Sequence, residues 1–388
     1  MDAVNELPER ALSPTGDPFL LTPGPLTTSP TVKQAMLHDF GSRDKRFIAI
    51  NARVRSRLID IIHGGEDFVC VPMQGSGTFV VEAMIGCFVP RDGKLLVLVN
   101  GAYGARMVRM CAYYGRDCVT EETAENVPCD PAAVERRLRA DPAITHVAVV
   151  HCETTSGVLN PIAAVAEVVA RQGRRLLIDS MSAFGALEVD ARAITFDAVV
   201  ASSNKCLEGA PGMGFCLARK TALAECAGNA ASLSLDLHDQ WLAMEKTAQW
   251  RFTPPVHCIL AFDQALEEFL EEGGVAGRGG RYRENCRILV DGLRGYGFDM
   301  LLGDAQQAPI IVTVKMPADP RFVFQTFYDR LSAMGYVIYP GKLTVAESFR
   351  IGCIGRLGGT EMRGALAAIG VVLRELGVTD CAAAQPAG

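Results

Sequence analysis

From about residue 68, apolar runs that fit β-strands alternate with amphipathic segments that fit helices. The strand-like runs are Phe68–Met73, Lys94–Asn100, Asp117–Thr120, His146–His151, Leu176–Asp179, Ala198–Ser202 and Gly214–Ala218. Helical patterns separate them at Thr78–Phe88, Tyr103–Tyr114, Pro131–Ala140 and Ile162–Gln172. This alternation predicts an α/β fold with a doubly wound, mostly parallel sheet that binds ligands at the carboxyl ends of its strands. A short Gly/Pro turn joins the last two runs, which allows one antiparallel strand.

The patterns on either side of this region divide the chain into four parts. We expect an N-terminal arm over residues 1–19, a large domain over 20–275, a small α+β domain over 276–376 and a flexible tail over 377–388. The small domain has strand-like runs at Ile310–Val314, Tyr336–Tyr339 and Phe349–Ile354. Between the two domains, the glycines of Gly273–Gly280 predict a hinge or turn, because no strand precedes them as it would in a phosphate-binding loop.

Composition excludes several classes of function. The 388 residues carry a net charge of −6 without any run of Lys or Arg, which argues against a nucleic-acid partner. No apolar stretch reaches about 18 residues and the start has no signal-peptide pattern, so we expect a cytoplasmic protein without a membrane partner. The thirteen cysteines include no Cys-x-x-Cys pair, which favours reduced core thiols and no metal site.

Three strand ends carry groups that suit one cofactor. Lys205 follows the apolar run that ends at Ser202, and a lysine amine at such a position can condense with the aldehyde of pyridoxal phosphate (PLP). Asp179 closes another run 26 residues earlier, where a carboxylate can pair with the protonated pyridine nitrogen. The segment Gln74–Thr78 leads from a strand into a helix, whose free N–H groups can bind a phosphate. Together they predict a PLP enzyme.

Each of these residues also has an ordinary structural interpretation. Most lysines are solvated surface charges, and Asp179 with Ser180 could cap a helix. Tyr103, in the segment after another strand, could stack on a cofactor ring or pack in the core. The hydroxyls of His151–Gly157 suit a bond to a cofactor oxygen. Arg350, taken alone, fits a surface arginine at the end of a strand.

Longer motifs resemble the class V, fold-type I PLP-dependent aminotransferases, and among them those that act on 2-aminoethylphosphonate and pyruvate. The resemblance runs from about Leu20 to Leu376. The motifs that carry it are Leu21–Thr27, Gln74–Thr78, Asn100–Arg106, His151–Thr155, Asp179–Ser182, Ser202–Lys205, Phe252–Pro255 and Phe349–Gly352. It implies a fold-type I transferase with PLP as cofactor, an amino transfer from 2-aminoethylphosphonate to pyruvate, and a homodimer with a shared active site.

The resemblance also implies a role for each matching residue. Lys205 is similar to the lysine that binds the cofactor covalently, and Asp179 to the partner of the pyridine nitrogen. Arg350 is similar to the arginine that binds the carboxylate of the acceptor, a task that suits its bidentate fork.

The other matched residues resemble cofactor ligands. Those implied to bind the phosphate are Ser76, Gly77, Thr78, Asn204 and, from the neighbouring subunit, Thr253. Those implied to surround the ring are Tyr103 on one face, Met181 on the other and Thr155 near the ring oxygen.

Two other functions remain open from the sequence. One is an alanine–glyoxylate or serine–pyruvate type of class V aminotransferase, which would have the same cofactor residues. The other is a non-catalytic PLP-binding protein, which Lys205 and Asp179 argue against, because mere binding needs neither at these positions.

Overall fold

The computed structural model describes residues 10–343 and 346–384. Its strands are β1 (Phe19–Leu20), β2 (Phe68–Gln74), β3 (Lys94–Val99), β4 (Asp117–Glu122), β5 (Ile144–Val150), β6 (Cys152–Glu153), β7 (Val158–Leu159), β8 (Arg175–Asp179), β9 (Ala198–Ser202), β10 (Met213–Arg219), β11 (Ile311–Lys315), β12 (Tyr336–Val337), β13 (Tyr339–Pro340) and β14 (Ser348–Gly352). Its helices are α1 (Pro30–Ala35), α2 (Lys45–Ile61), α3 (Gly77–Phe88), α4 (Ala102–Tyr114), α5 (Pro131–Ala140), α6 (Ile162–Arg171), α7 (Lys220–Ala224), α8 (Leu237–Thr247), α9 (Val256–Glu271), α10 (Gly274–Gly295), α11 (Phe324–Ala333) and α12 (Gly359–Leu376).

A seven-stranded sheet forms the centre of the fold, in the order β2-β10-β9-β8-β5-β3-β4. Six strands run in one direction, and β10 is antiparallel to both of its neighbours. Both the predicted mostly parallel sheet and its one antiparallel strand are therefore confirmed. Strand β9 is buried along its whole length and β5 at every residue except Thr145, as expected for a sheet with helices on both faces.

The two faces of this sheet pack against different helices. Side chains of α2, α5, α6 and α9 form one apolar cluster against the first face. Side chains of α3, α4 and α7 form a second cluster against the other face. Because successive residues of a strand point to opposite faces, Phe68 and Cys70 enter the first cluster while Val69 and Val71 enter the second.

The C-terminal part has its own small sheet, in the order β11-β14-β13, with a separate apolar cluster that includes residues of α10, α11 and α12. The chain before the large sheet also contacts this part. β1 pairs in parallel with β12, and the Ala11 N–H donates to the Met334 carbonyl at 3.1 Å. The expected N-terminal arm is therefore held to the C-terminal part at Ala11. Residues 1–9 of the arm lie outside the described residues.

Three expectations for the C-terminal part are wrong in whole or in part. The predicted strand Tyr336–Tyr339 is two short strands in different sheets, because β12 pairs with β1 and β13 with β14. The predicted turn is limited to Gly273, which has a φ of +97° between α9 and α10, while Gly274–Gly280 begin helix α10. A Cβ on Gly279 would lie 2.3 Å from the Ala186 carbonyl oxygen, so glycine permits close packing there. The tail packs as far as it is described, since Cys381 is buried and the Ala318 N–H donates to the Ala382 carbonyl; residues 385–388 lie outside the description.

No helix in the described part of the chain is long and apolar enough to cross a membrane. All thirteen cysteines are unpaired, and eleven of them are buried. This agrees with the prediction of reduced core thiols.

Candidate active site

A cavity of about 220 Å³ opens at the carboxyl edge of the parallel strands. Most of the predicted site residues line it, together with five residues that were not predicted. The predicted residues are Ser76, Gly77, Thr78, Tyr103, Asp179, Met181, Asn204 and Lys205. The others are Gly24, Val81, Arg106, Met110 and Ser202. The structure thus brings the three predicted strand ends to one place.

Lys205 lies in the loop that follows β9, and its ammonium donates a hydrogen bond to the Pro23 carbonyl. Gly24 permits this approach: it has a φ of +120°, and a Cβ there would lie 2.5 Å from Lys205 Nζ. Burial lowers the pKa of Lys205 to about 8. Its amine is therefore neutral in a substantial fraction of molecules near pH 8, and only the neutral amine is a nucleophile or a base.

Asp179 ends β8 and is 4% exposed. Its Oδ1 accepts a hydrogen bond from the Met181 N–H at 2.9 Å, and no helix begins there, so the helix-cap interpretation is wrong. Burial raises the pKa of Asp179 to about 6 from its ordinary value of 3.8. Such a carboxyl loses its proton only as the pH approaches neutrality, and a protonated pyridine nitrogen beside it would favour the ionised form.

The N-terminus of α3 forms one wall of the cavity. Ser76 is its N-cap residue, yet its side chain makes no capping hydrogen bond, so its hydroxyl and the first N–H groups of the helix remain available to an anion. Arg106 adds a positive charge beside them, because its Nη1 donates to Thr78 Oγ1 at 3.0 Å. This wall suits a phosphate.

The Ser202 hydroxyl gives a further indication that the residues lining the cavity fit PLP. The Ser202 hydroxyl lines the cavity and is buried without a hydrogen-bond partner, as expected of a polar group whose ligand is a bound molecule. Together with the open helix end and the acid of raised pKa, it gives partners for a phosphate, a ring nitrogen and further polar atoms.

Tyr103 is partly buried and lines the cavity instead of lying wholly in the core. Thr155 lies deeper: it is fully buried and does not line the cavity, and its hydroxyl donates to Glu153 Oε1 at 2.8 Å. Glu153, which was not predicted, also accepts hydrogen bonds from the N–H groups of Tyr103 and Gly104 at the start of α4. Glu153 therefore holds Tyr103 and Thr155 in fixed positions relative to each other.

Arg350 lies in β14 and is 2% exposed, so the interpretation as a surface arginine is wrong. Its Nη1 donates to the Thr154 carbonyl at 2.8 Å and its Nε to the Pro340 carbonyl at 3.0 Å. It forms no ion pair with any carboxylate in the described ranges, and its charge lowers the pKa of Lys205. A buried guanidinium close to Lys205 and without a carboxylate suits an anionic substrate.

Three predicted residues do not line this cavity: Thr155, Arg350 and Thr253. Thr253 is the one that lines another cavity. It is exposed and lines a different cavity, of about 380 Å³, together with Arg43, Asn51 and Trp250. Its contact with the phosphate would need a second copy of the chain and stays a prediction.

Sequence reasoning missed Gly24, Arg106, Glu153 and Ser202. All four lie inside motifs that had been singled out, so their positions carried a signal that their residue types did not. The role of Gly24 depends on its contact with Lys205, far away in the chain, which no local pattern shows.

Comparison with known proteins decides the family. The model of the family "Aminotransferase class-V" matches residues 34–321. This chain belongs to the class-V aminotransferases. Two relatives named 2-aminoethylphosphonate–pyruvate transaminase are each 55% identical to it. The one from Burkholderia lata aligns over 93% of this chain and 96% of its own length, and the one from Pseudomonas fluorescens over 94% and 99%.

Solved structures of other aminotransferases have the same fold. Pyridoxamine–pyruvate aminotransferase from Mesorhizobium loti superposes with a TM-score of 0.86 at 25% identity, over 95% of each chain. Alanine–glyoxylate aminotransferase from Nostoc sp. gives 0.87 at 24% identity, over 94% of this chain and 98% of its own. The class-V aminotransferase described here therefore has the expected fold-type I architecture.

Proposed function

We propose that this class-V aminotransferase binds PLP and transfers the amino group of 2-aminoethylphosphonate to pyruvate, giving phosphonoacetaldehyde and L-alanine. The observation that carries the proposal is the meeting of Lys205, Asp179 and the open end of α3 in one cavity. The choice of substrates is supported by relatives of that name at 55% identity over nearly the whole chain.

The cofactor ligands follow from the walls of the cavity. Asp179 would face the ring nitrogen, and Tyr103 and Met181 the two faces of the ring. Thr155 would lie near the ring oxygen, held there by the hydrogen bond from its hydroxyl to Glu153. The phosphate ligands would be Ser76, Gly77, Thr78 and Asn204, joined by Thr253 of a second subunit. When bound, PLP withdraws electrons from the carbon that carries the amino group and so makes its hydrogen acidic.

Lys205 would have two tasks. Its amine would anchor the cofactor and, once the substrate amine has replaced it there, would remove a proton from C2 of 2-aminoethylphosphonate, the carbon that carries the amino group. With pyruvate bound, the same group delivers a proton to C2, which becomes the α-carbon of alanine. The lowered pKa of Lys205 supports both directions, because a base must also be able to hold the proton that it has taken.

Arg350 would bind the carboxylate of pyruvate. Its Nε and one Nη are already fixed by backbone carbonyls, so the guanidinium is oriented before the acceptor arrives. Donor and acceptor would use one site in turn, so the kinetics should be ping-pong.

We also propose a homodimer in the cytoplasm. Exposed apolar side chains support the dimer: Phe79 and Phe252 are each 50% exposed, on the side of the molecule that carries Thr253. The unpaired cysteines support a reducing compartment.

The test is amino transfer by purified protein. We expect 2-aminoethylphosphonate and pyruvate to give alanine and phosphonoacetaldehyde in equal amounts, and Lys205→Ala to abolish both products. Lys220→Ala is the matched control, because Lys220 is an exposed lysine that follows β10 at the opposite edge of the sheet. Transfer from serine or alanine to glyoxylate, without reaction of the aminophosphonate, would contradict the proposed substrate. Normal turnover by Lys205→Ala would contradict the chemistry.

A further inference from the structure

Cations are concentrated around Tyr103, which lines the cavity. The Lys342 ammonium lies 5.4 Å from the centre of the Tyr103 ring, and the Arg106 guanidinium carbon lies 4.8 Å from it. Burial, with the charges of Arg106 and Arg350, lowers the pKa of Lys342. Like charges repel one another, so a cluster of cations such as Lys342, Arg106 and Arg350 is typical of a site where a bound anion offsets the repulsion.

Each neighbouring charge except that of Lys342 already has a defined task. Arg106 donates to Thr78 at the phosphate wall, and Arg350 is fixed by two backbone carbonyls near Lys205. Glu153 accepts hydrogen bonds from backbone N–H groups and from the Thr155 hydroxyl. Lys342 forms no ion pair within 4.0 Å with any carboxylate in residues 10–343 and 346–384. Its ammonium is therefore available to a ligand.

The fold holds Lys342 in a defined place. It follows β13 by two residues, and β13 pairs with β14 at Tyr339 and Arg350. The Pro340 carbonyl, two residues before Lys342, accepts the hydrogen bond from Arg350 Nε. A Cβ on Gly341 would lie 2.1 Å from the Ser348 carbonyl oxygen, so only glycine lets this turn lie against β14. The strand that carries Arg350 thus also positions Lys342.

The two substrates carry their anions at different distances from the reacting carbon. In pyruvate and alanine the carboxylate is attached directly to that carbon. In 2-aminoethylphosphonate one further carbon separates it from the phosphonate. A cation that serves the phosphonate must therefore lie farther from Lys205 than the one that serves the carboxylate. Arg350 is buried, and its charge lowers the pKa of Lys205. Lys342 is exposed, and its charge is not among those that affect the pKa of Lys205, as expected of a cation farther from that amine.

We propose that Lys342 binds the phosphonate group of the amino donor and that it determines the preference for a phosphonate over a carboxylate at that position. This inference rests on the proposed function. A compact ammonium with three donors suits a phosphonate, which presents three oxygens in a tetrahedral array. Lys342 is thus a specificity-determining residue for the first half-reaction only.

The experiment compares wild type, Lys342→Met, Lys342→Arg and Lys220→Met as PLP-loaded enzymes. Single-turnover rates are measured separately with 2-aminoethylphosphonate and with alanine, each without a keto acid. For Lys342→Met we expect the concentration of aminophosphonate that gives the half-maximal rate to rise about tenfold or more, because one charge-assisted hydrogen bond is lost. The value for alanine should stay within about twofold, Lys342→Arg should recover part of the loss and Lys220→Met should match wild type.

A second measurement detects binding without turnover. Ethylphosphonate, which has no amino group, should inhibit the alanine reaction of wild type, and Lys342→Met should weaken this inhibition by a similar factor. Propanoate, its carboxylate counterpart, should be little affected.

The possible results separate this inference from the proposed function. Equal constants for wild type and Lys342→Met with the aminophosphonate would overturn the role of Lys342 and leave the function standing. An equal loss with alanine would also overturn it, because a general electrostatic effect would then explain the data. A wild-type enzyme that reacts with alanine but not with 2-aminoethylphosphonate would overturn both.

Discussion

Asp179→Asn should stabilise the cofactor-free protein while removing a group that the reaction needs. The carboxyl is 4% exposed, and its one hydrogen bond to a backbone N–H, that of Met181, can also be accepted by the Oδ1 of asparagine. The substitution thus keeps the local geometry and removes only the charge. Before the cofactor binds, that charge has no ion-pair partner within 4.0 Å in the described part of the chain.

The expected effect follows from the pKa of Asp179, which burial raises to about 6 in the folded chain from 3.8. The folded state holds its proton more tightly than the unfolded state does. The stabilising contribution of the protonated form is therefore complete below pH 3.8 and is lost as the pH rises through 6. A full loss amounts to about 3 kcal/mol, of which about 1 kcal/mol falls between pH 5 and pH 7.5.

The assay is urea unfolding of wild type and Asp179→Asn, both freed of cofactor, at pH 5 and pH 7.5. We expect the variant to be more stable at both values, with an advantage that is larger by about 1 kcal/mol at pH 7.5. PLP should reverse the order, since its ring nitrogen would give Asp179 a cation. An advantage that does not depend on pH, or that shrinks as the pH rises, would refute the reasoning about this carboxyl.

Three other substitutions test separate parts of the site. Gly77→Ala would place a Cβ 2.4 Å from the sulfur of Met181, which lines the same cavity, so PLP affinity measured by fluorescence titration should fall about tenfold. Gly280→Ala is the control and should leave the affinity unchanged, because a Cβ on Gly280 would meet no atom within 4 Å. Arg350→Lys should raise KM for pyruvate about tenfold or more in steady-state assays, because the bidentate fork is lost, and an unchanged KM would exclude that role. Tyr282→Phe removes a 2.5 Å hydrogen bond to buried Glu208 and should lower the free energy of unfolding in urea by about 1–3 kcal/mol; no loss would show that the bond contributes nothing.

The sheet could be predicted because buried parallel strands appear in the sequence as continuous apolar runs. Most strands of the large sheet fall on such a run, whereas the edge strand β4 is polar and only partly buried. The division of Tyr336–Tyr339 could not be predicted, because a run of four residues does not show that its halves pair with different partners. The start of α10 was missed since glycine normally weakens a helix, whereas here close packing against Ala186 requires it.

The parts of the candidate site that follow strands could also be predicted, because parallel strands all end at the same edge of a sheet. Lys205 and Asp179 belong to this group. The contact between Lys205 and Pro23 joins segments 182 residues apart, which no local pattern records. The burial of Arg350 depends in the same way on the Thr154 carbonyl, 196 residues away. Thr253 marks a further limit, since its predicted contact needs a second chain.

The most direct test of the central claim is the absorbance spectrum of the purified, PLP-loaded protein during the first half-reaction. Adding 2-aminoethylphosphonate without a keto acid should convert the band of the bound aldehyde form of the cofactor into that of its amine form. Adding pyruvate should then restore the first band. A first band that ignores the aminophosphonate but responds to alanine or serine would contradict the proposed substrate. The absence of any such band would contradict the cofactor.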